Sequence, residues 1–420
     1  MKSLDAKLQE IKANPSSNAF IIADAKDADM AFGVKAPGKR DYLSRSGAHA
    51  AQFSPEVWTR EEYGHRNLPE FLDIIREVVD QELVDIMLMS ASVNELLTIQ
   101  EGLFRNSPMT PAARANDATD VWAIRHGSYL KEAARPFRSA SIDHIQCGKS
   151  ECERDGVEEF PGANLGLYSV TFVNDLELDH HTLTQFKAFR EEAEAKRFRY
   201  FLEVFNPNVD SGIPQEKMGE FINDQIIRSL AGVTEAGRPV FLKIVYSGPR
   251  YMEELCQYDP NMVVGVLGGS AGTTYDAFRL IHDARKHGAR VALFGRKINN
   301  AEHQLAFIEM LRMIVEGRID PEEAVRAYHG VLQARKITPN RPLEQDLQLT
   351  DQAMSYDGSA VQKSRVEVRN NPLAKSEKKA SAPPAASEWP VTDGGKPDFK
   401  SMTPAQRRAY DRSRLSRAFG

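Results

Sequence analysis

Two charged residues stand inside stretches that are otherwise apolar. Lys243 lies in Val240-Phe241-Leu242-Lys243-Ile244-Val245-Tyr246, and Glu203 lies in Tyr200-Phe201-Leu202-Glu203-Val204-Phe205. Successive side chains of a strand alternate faces, so Lys243 shares a face with Phe241 and Val245 while Leu242 and Ile244 take the other. In a parallel sheet covered by helices both faces are buried. Burial then disfavours the ammonium form and leaves a neutral amine available as a nucleophile. Adjacent parallel strands are about 4.8 Å apart, so two such residues at similar height form an ammonium–carboxylate pair. A buried ion pair adds little net stability over apolar packing, and its presence on neighbouring core strands favours a chemical role.

A second cluster has the residue types of an anion site. Val266-Leu267 runs into Gly268-Gly269-Ser270-Ala271-Gly272-Thr273-Thr274 and then into a helix, offering backbone N–H groups, hydroxyls and a positive helix end. The next strand ends in Gly295-Arg296, whose guanidinium can hold a phosphate through two hydrogen bonds. The turn lacks the GK[ST] ending of a P-loop and the Gly-x-Gly-x-x-Gly spacing of a dinucleotide fold. His180 and His181 beside Asp179 read as surface residues, since sequence neighbours rarely converge on one metal. His144, Cys147 and Cys152 lack zinc-site spacing and read as ordinary loop residues. Neither a metal nor an organic cofactor is expected.

The elements that must position these residues alternate regularly. Strands are predicted at 19–24, 84–89, 121–125, 165–173, 200–205, 240–246, 262–267 and 290–294. Asn67 caps a helix with Leu68, Leu72, Ile75 and Val79 at helical spacing, and a further helix is predicted over 93–104. Helices follow at 182–196, 215–230, 250–257, 274–287, 301–316 and 321–333, the last opened by Asp320 with Glu323 as a capping box. Eight β/α units define an α/β fold of the (β/α)8 TIM-barrel type, whose active sites lie at the C-terminal mouth, with phosphate sites after the seventh and eighth strands. The stretch 32–67, rich in Gly, Pro and charge, is expected to be a lid or insertion, and 127–164 an irregular insertion around one short helix. The barrel is expected to span 1–336. Residues 337–420 read as a low-complexity linker and an Arg-rich C-terminal tail that forms a short helix from Thr403.

The chain has 420 residues, a net charge of -5, 41% hydrophobic residues and three cysteines. Mild acidity argues against a dominant nucleic-acid or anionic-membrane surface. Three cysteines are too few for a disulfide framework and fit a reducing compartment. Residues 1–18 form a polar stretch with a weak Leu4/Leu8/Ile11 stripe and without the apolar core of a signal peptide, and no apolar run is long enough to span a bilayer. A cytoplasmic homo-oligomer with a small-molecule partner, and with neither membrane nor nucleic acid, is expected.

Over most of the region from Phe20 to about Leu332 the sequence resembles the class I, Schiff-base-forming aldolases of the tagatose 1,6-bisphosphate and deoxyribose-phosphate aldolase group. The resemblance is carried by Phe201-Leu202-Glu203-Val204, Leu242-Lys243-Ile244, Gly268-Gly269-Ser270-Ala271-Gly272 and Gly295-Arg296. It implies that Lys243 is the Schiff-base lysine and Glu203 the proton-handling glutamate. It further implies that Gly268, Gly269, Ser270, Gly295 and Arg296 cradle a sugar phosphate, and that Asp24 contacts substrate or the lysine. The implied activity is metal-independent cleavage or formation of a carbon–carbon bond in a phosphorylated ketose. Two alternatives stay open: a Schiff-base transferase acting on a phosphorylated diketone, and a non-catalytic barrel that binds a sugar phosphate.

Overall fold

Every position of the strands Ile21–Lys26 (β1), Ile86–Met89 (β2), Leu165–Thr171 (β4) and Val291–Phe294 (β8) is buried, as strands covered on both faces must be. With Thr110–Arg114 (β3), Arg199–Phe205 (β5), Leu242–Ile244 (β6) and Val264–Leu267 (β7), they close a parallel barrel in which each strand pairs with its neighbours in sequence and β8 returns to β1. The architecture is the (β/α)8 barrel that the sequence predicts. The computed structural model describes residues 1–14, 16–38, 65–269, 272–350, 389–392 and 397–410.

Alternation sorts the strand side chains into two layers. Ile21, Ile86, Leu165, Phe201, Phe241 and Val291 fill the barrel interior, whereas Ile22, Met87, Tyr168, Leu202, Leu242 and Phe294 pack with the surrounding helices. The weak stripe at the N-terminus belongs to the interior cluster. Leu4, Leu8 and Ile11, on the helix Ser3–Ala13, are buried against residues at the beginnings of the strands and close that end of the barrel. Asp85 fixes the closure: its carboxylate accepts from the Ile22 N–H (2.8 Å), from Lys7 (2.7 Å) and from Arg312 (2.8 Å). With the N-terminal end plugged, the C-terminal mouth is left for chemistry.

The third strand is not where the sequence reading puts it. Residues 121–125 form the end of a 3-10 turn and a loop, where Trp122 stacks on Phe137 at 5.1 Å. The strand is Thr110-Pro111-Ala112-Ala113-Arg114, paired with β2. A segment with a proline, two alanines and Thr110 as its one β-branched residue carries a weak strand signal, and pairing with its neighbours makes it a strand. The helix predicted over 93–104 is also shorter, an α-turn Ala91–Asn94 running into a π-turn Glu95–Gln100. In the insertion after β3 the one short helix is Ile142–Cys147, and Cys147 is disulfide-bonded to Cys152 instead of being a free loop residue.

The remaining helices lie close to their expected positions. Asn67 caps Leu68–Gln81 through a reciprocal pair with Glu70 (3.0 and 2.8 Å), and Leu176–Ala195 begins earlier than predicted because Asp175 caps it at the Leu178 N–H (3.0 Å). The expected lid stretch follows the short helix Asp29–Phe32 and begins with the 3-10 turn Gly33–Lys35, and its residues 39–64 lie outside those described. The chain divides into two compact units, Met1–Val361 and Gln362–Gly420, the first extending past the expected boundary at 336. In the second unit Trp389 and Phe399 pack edge-on against Tyr410 at 5.4 and 5.0 Å. The expected helix after Thr403 is present over 404–410, while Arg412, Arg414 and Arg417 lie outside the described residues. Among the described residues no helix is long and apolar enough to cross a membrane.

Candidate active site

Lys243 and Glu203 are paired across β5 and β6, directly opposite in register, and their side chains form an ion pair. Glu203 is 1% exposed and Lys243 7%, so the carboxylate is enclosed while the amine keeps a narrow opening. Two residues earlier on each strand, Phe201 and Phe241 stack at 4.5 Å and form an apolar floor under the pair. The strand period of two places floor and charges on the same interior face.

The carboxylate is held by a chain of polar contacts. Ser169, opposite Glu203 on β4, donates its hydroxyl to Glu203 Oε2 at 2.5 Å. Arg114 donates to Ser169 Oγ (3.1 Å), to Asp27 Oδ2 (3.0 Å) and to the Asn116 carbonyl (2.9 Å). The Asn116 side chain clamps the Ser169 backbone from both sides, accepting from its N–H at 2.7 Å and donating to its carbonyl at 2.8 Å. Burial works against the Arg114 charge, but Asp27 and Glu203 outweigh it and hold the guanidinium above its ordinary value. Cation and carboxylate thus alternate from Lys243 through Glu203 and Arg114 to Asp27. An enclosed network whose members are mutually satisfied is rigid, and rigidity is what a proton-transferring carboxylate needs.

Arg114, Asp27, Ser169 and Asn116 were not among the residues singled out from sequence. Arg114 does carry the same signature as Lys243, a charge closing a small apolar run from Met109. The signal is masked because the run has little of the composition of a strand.

Asp24 is placed elsewhere. Ala23 and Ala25 belong to the interior cluster, so alternation turns Asp24 and Lys26 to the helix side, where Asp24 lies level with Met87 and Phe294. It pairs with Lys26 at 2.7 and 3.0 Å, both side chains fully enclosed. Burial raises the Asp24 carboxyl and lowers the Lys26 amine, each countered by the other's charge. Asp24 thus meets Lys26 and not Lys243, whereas Asp27, three residues on, joins the interior network through Arg114.

The glycines after β7 and β8 lie at the mouth. A Cβ on Gly268 would come within 2.1 Å of the Phe294 ring, so only glycine fits there, and its N–H is used by the Leu293 carbonyl (2.8 Å). Gly269 is exposed with φ +61°, and Ser270 lies outside the described residues. Gly295 leads into the short helix Arg296–Asn299, and the Arg296 guanidinium is within electrostatic reach of Glu203. The following helix Thr274–Lys286 does not present its N-terminus to the mouth as a free anion site. Asp276 accepts the Thr273 N–H (2.7 Å) and Asp346 the Thr274 N–H (2.8 Å), so carboxylates of the chain itself occupy that end.

No protein-family model matches the sequence, and no curated protein matches it. Solved structures do. A fructose-bisphosphate aldolase from Slackia heliotrinireducens is similar with a TM-score of 0.50 and 11% identity, over 78% of this chain and 91% of that one. An archaeal fructose 1,6-bisphosphate aldolase is similar with a TM-score of 0.48 and 12% identity, over 74% of this chain and 99% of that one. An archaeal fructose-1,6-bisphosphate aldolase with its catalytic lysine covalently bound to the carbinolamine intermediate of the substrate gives 0.48 and 13%, again over 74% and 99%. At 11% identity the likeness to the Slackia heliotrinireducens structure is one of fold alone, that of the closed eight-stranded barrel described above.

Proposed function

We propose that the barrel is a class I aldolase acting on a phosphorylated ketose through a Schiff base on Lys243. The observation that carries this reading is the enclosed Lys243–Glu203 pair at the open end of the barrel, with Glu203 fixed by Ser169 and Arg114. The structural likeness bears on the fold alone.

Glu203 accepts a proton from the Lys243 ammonium, and the freed amine attacks the substrate ketone carbon to give a carbinolamine. The same proton goes to the departing hydroxyl, which leaves as water, and an iminium remains. Loss of a proton from the hydroxyl beyond the adjacent carbon breaks the carbon–carbon bond. Its electron pair flows into the iminium as an enamine, and an aldehyde departs. Protonation of the enamine and hydrolysis return the lysine. Ser169 and Arg114 hold the carboxylate against rotation through both proton transfers. Arg296, with the Gly269 and Gly295 turns, is the group available to hold the phosphate, in keeping with the corner this fold commonly uses.

Borohydride treatment in the presence of dihydroxyacetone phosphate tests the reading. Reduction should leave a stable adduct whose mass maps to the peptide containing Lys243. Folded protein that gives no adduct with a broad panel of ketone phosphates would overturn it. A carbon–carbon cleavage assay run beside an acyl-acceptor assay separates the aldolase from a transferase.

A further inference from the structure

Cleavage of a carbon–carbon bond needs a proton moved at the substrate's own atoms, and Glu203 is committed elsewhere. One of its oxygens pairs with Lys243 and the other accepts from Ser169 at 2.5 Å. A second carboxyl stands on the mouth side of that pair. Leu165 and Leu167 line the barrel interior, so alternation puts Ser169 and Thr171 on the same face of β4, with Thr171 about 6.6 Å nearer the mouth. The Thr171 hydroxyl donates to Asp120 Oδ2 at 2.7 Å, and Arg114 and Glu203 are both within electrostatic reach of the Asp120 carboxyl. The backbone that carries Asp120 is fixed as well. Its 3-10 turn Thr119–Val121 continues from Asp117–Ala118, which pairs antiparallel with Pro136–Phe137, and Thr119 exchanges two hydrogen bonds with Arg135 (2.9 and 3.1 Å). Asp120 Oδ1 is buried, and among the described residues it meets no donor. With one oxygen unpartnered the charged form is incompletely stabilised, and burial pushes the Asp120 carboxyl up despite Thr171 and Arg114.

We infer, resting on the Schiff-base reading above, that Asp120 is a second acid–base residue, which takes the proton whose loss breaks the carbon–carbon bond and later returns it to the enamine carbon. In the iminium the substrate chain leaves the Lys243 nitrogen toward the mouth, the side on which Thr171 and Asp120 stand. The Asp120 carboxylate removes the proton of the substrate hydroxyl, and the O–H electron pair becomes the second bond of the aldehyde carbonyl. The pair of the breaking carbon–carbon bond forms the enamine double bond, and the C=N pair comes to rest on nitrogen. Once the aldehyde has left, the Asp120 carboxyl gives its proton to the enamine carbon. The pair on nitrogen restores the iminium for hydrolysis, and Asp120 is a carboxylate again. Glu203 then serves the nitrogen of Lys243, and Asp120 serves the carbon skeleton.

Exchange of solvent deuterium into dihydroxyacetone phosphate reads the Asp120 step without any aldehyde, since it runs the enamine protonation back and forth; borohydride trapping reads the Lys243 step beside it. Asp120→Asn should slow exchange about 10²–10⁴-fold while trapping stays within about three-fold of the parent. Asp120 must be ionised to take a proton, so exchange relative to trapping should fall on acidification. Thr171→Val removes a donor from the carboxylate and should move that fall to higher pH. If Asp120→Asn fails to fold, the Thr171→Val shift alone decides. Exchange at the parent rate in Asp120→Asn, loss of trapping together with exchange in the folded variant, or a pH limb that Thr171→Val leaves in place would each overturn the inference. Absence of exchange in a parent protein that forms the adduct overturns it too, and leaves the Schiff-base reading standing. No adduct with a broad panel of ketone phosphates overturns both.

Discussion

Lys26 and Lys243 are the two buried lysines among the described residues, and their surroundings assign them different roles. Lys26 is sealed against Asp24 on the helix side, whereas Lys243 keeps an opening at the mouth. Lys26→Met should therefore leave the borohydride adduct on Lys243 while destabilising the protein by about 3–5 kcal/mol in a denaturant melt, because it strands the Asp24 carboxyl. An adduct that maps to Lys26 would reverse the assignment. Glu203→Gln keeps the shape but cannot take the lysine proton, and should slow adduct formation about 10²–10⁴-fold while lowering stability, because Lys243 loses its buried carboxylate. Ser169→Ala removes two hydrogen bonds to charged groups, one to Glu203 and one from Arg114, each worth about 1.5–3 kcal/mol. Its rate loss should be smaller, and Ser169→Thr should restore part of it; equal losses for alanine and threonine would argue against a positioning role.

At the scale of elements, an ionic anchor holds one segment and an apolar stripe another. Asp143, on the helix Ile142–Cys147, pairs with Lys196 and with Arg154 (3.0 Å) and accepts the Cys152 N–H (3.0 Å). Burial pushes its carboxyl up, but these contacts together bring it down to about 2. A carboxyl lowered in the folded state stabilises above its unfolded value of about 3.9, and that contribution is lost as pH falls through about 2. Asp143→Asn should therefore lower stability at pH 7 and change it little near pH 2, as read by melts across that range. The N-terminal helix is the second case. Leu8→Ala, in the interior cluster, should cost about 2–5 kcal/mol in a denaturant melt. A loss below about 1 kcal/mol would mean that the helix is not part of the cooperative barrel.

For the molecule as a whole, the closed sheet removes every edge, plugs one end with residues 1–13 and leaves one mouth. Among the described residues, Asp29, Ser90, Gly269 and Arg296 all follow barrel strands at that end. Cys147 and Cys152 are joined, and burial pushes the Cys256 thiol up to about 12. Native protein should therefore react only slowly with a thiol reagent near pH 8, and a single thiol should appear on non-reducing denaturation. Three reactive thiols would contradict the disulfide, and fast reaction of native Cys256 would contradict its enclosure.

The barrel was legible in the sequence because its evidence is local. Period-two runs around Ile22, Val170, Leu202, Ile244 and Phe294, each followed by helical spacing, define a strand–helix repeat with no knowledge of what touches what. The out-of-place charges Lys243 and Glu203 were legible for the same reason. The rest depended on contacts between residues far apart in sequence. Thr110–Arg114 is a strand only because it pairs with Ile86–Met89, and this pairing brings Arg114 into the interior. Asp27 reaches that network and Asp24 does not, because closure of the sheet sets which side of β1 faces in. The helix end after Gly272 looked free for an anion until residues 72 and 74 positions away, Asp346 and Thr350, packed against it. Local periodicity determined most of the elements and the buried charge pair; sheet closure decided which side chains share a space with that pair.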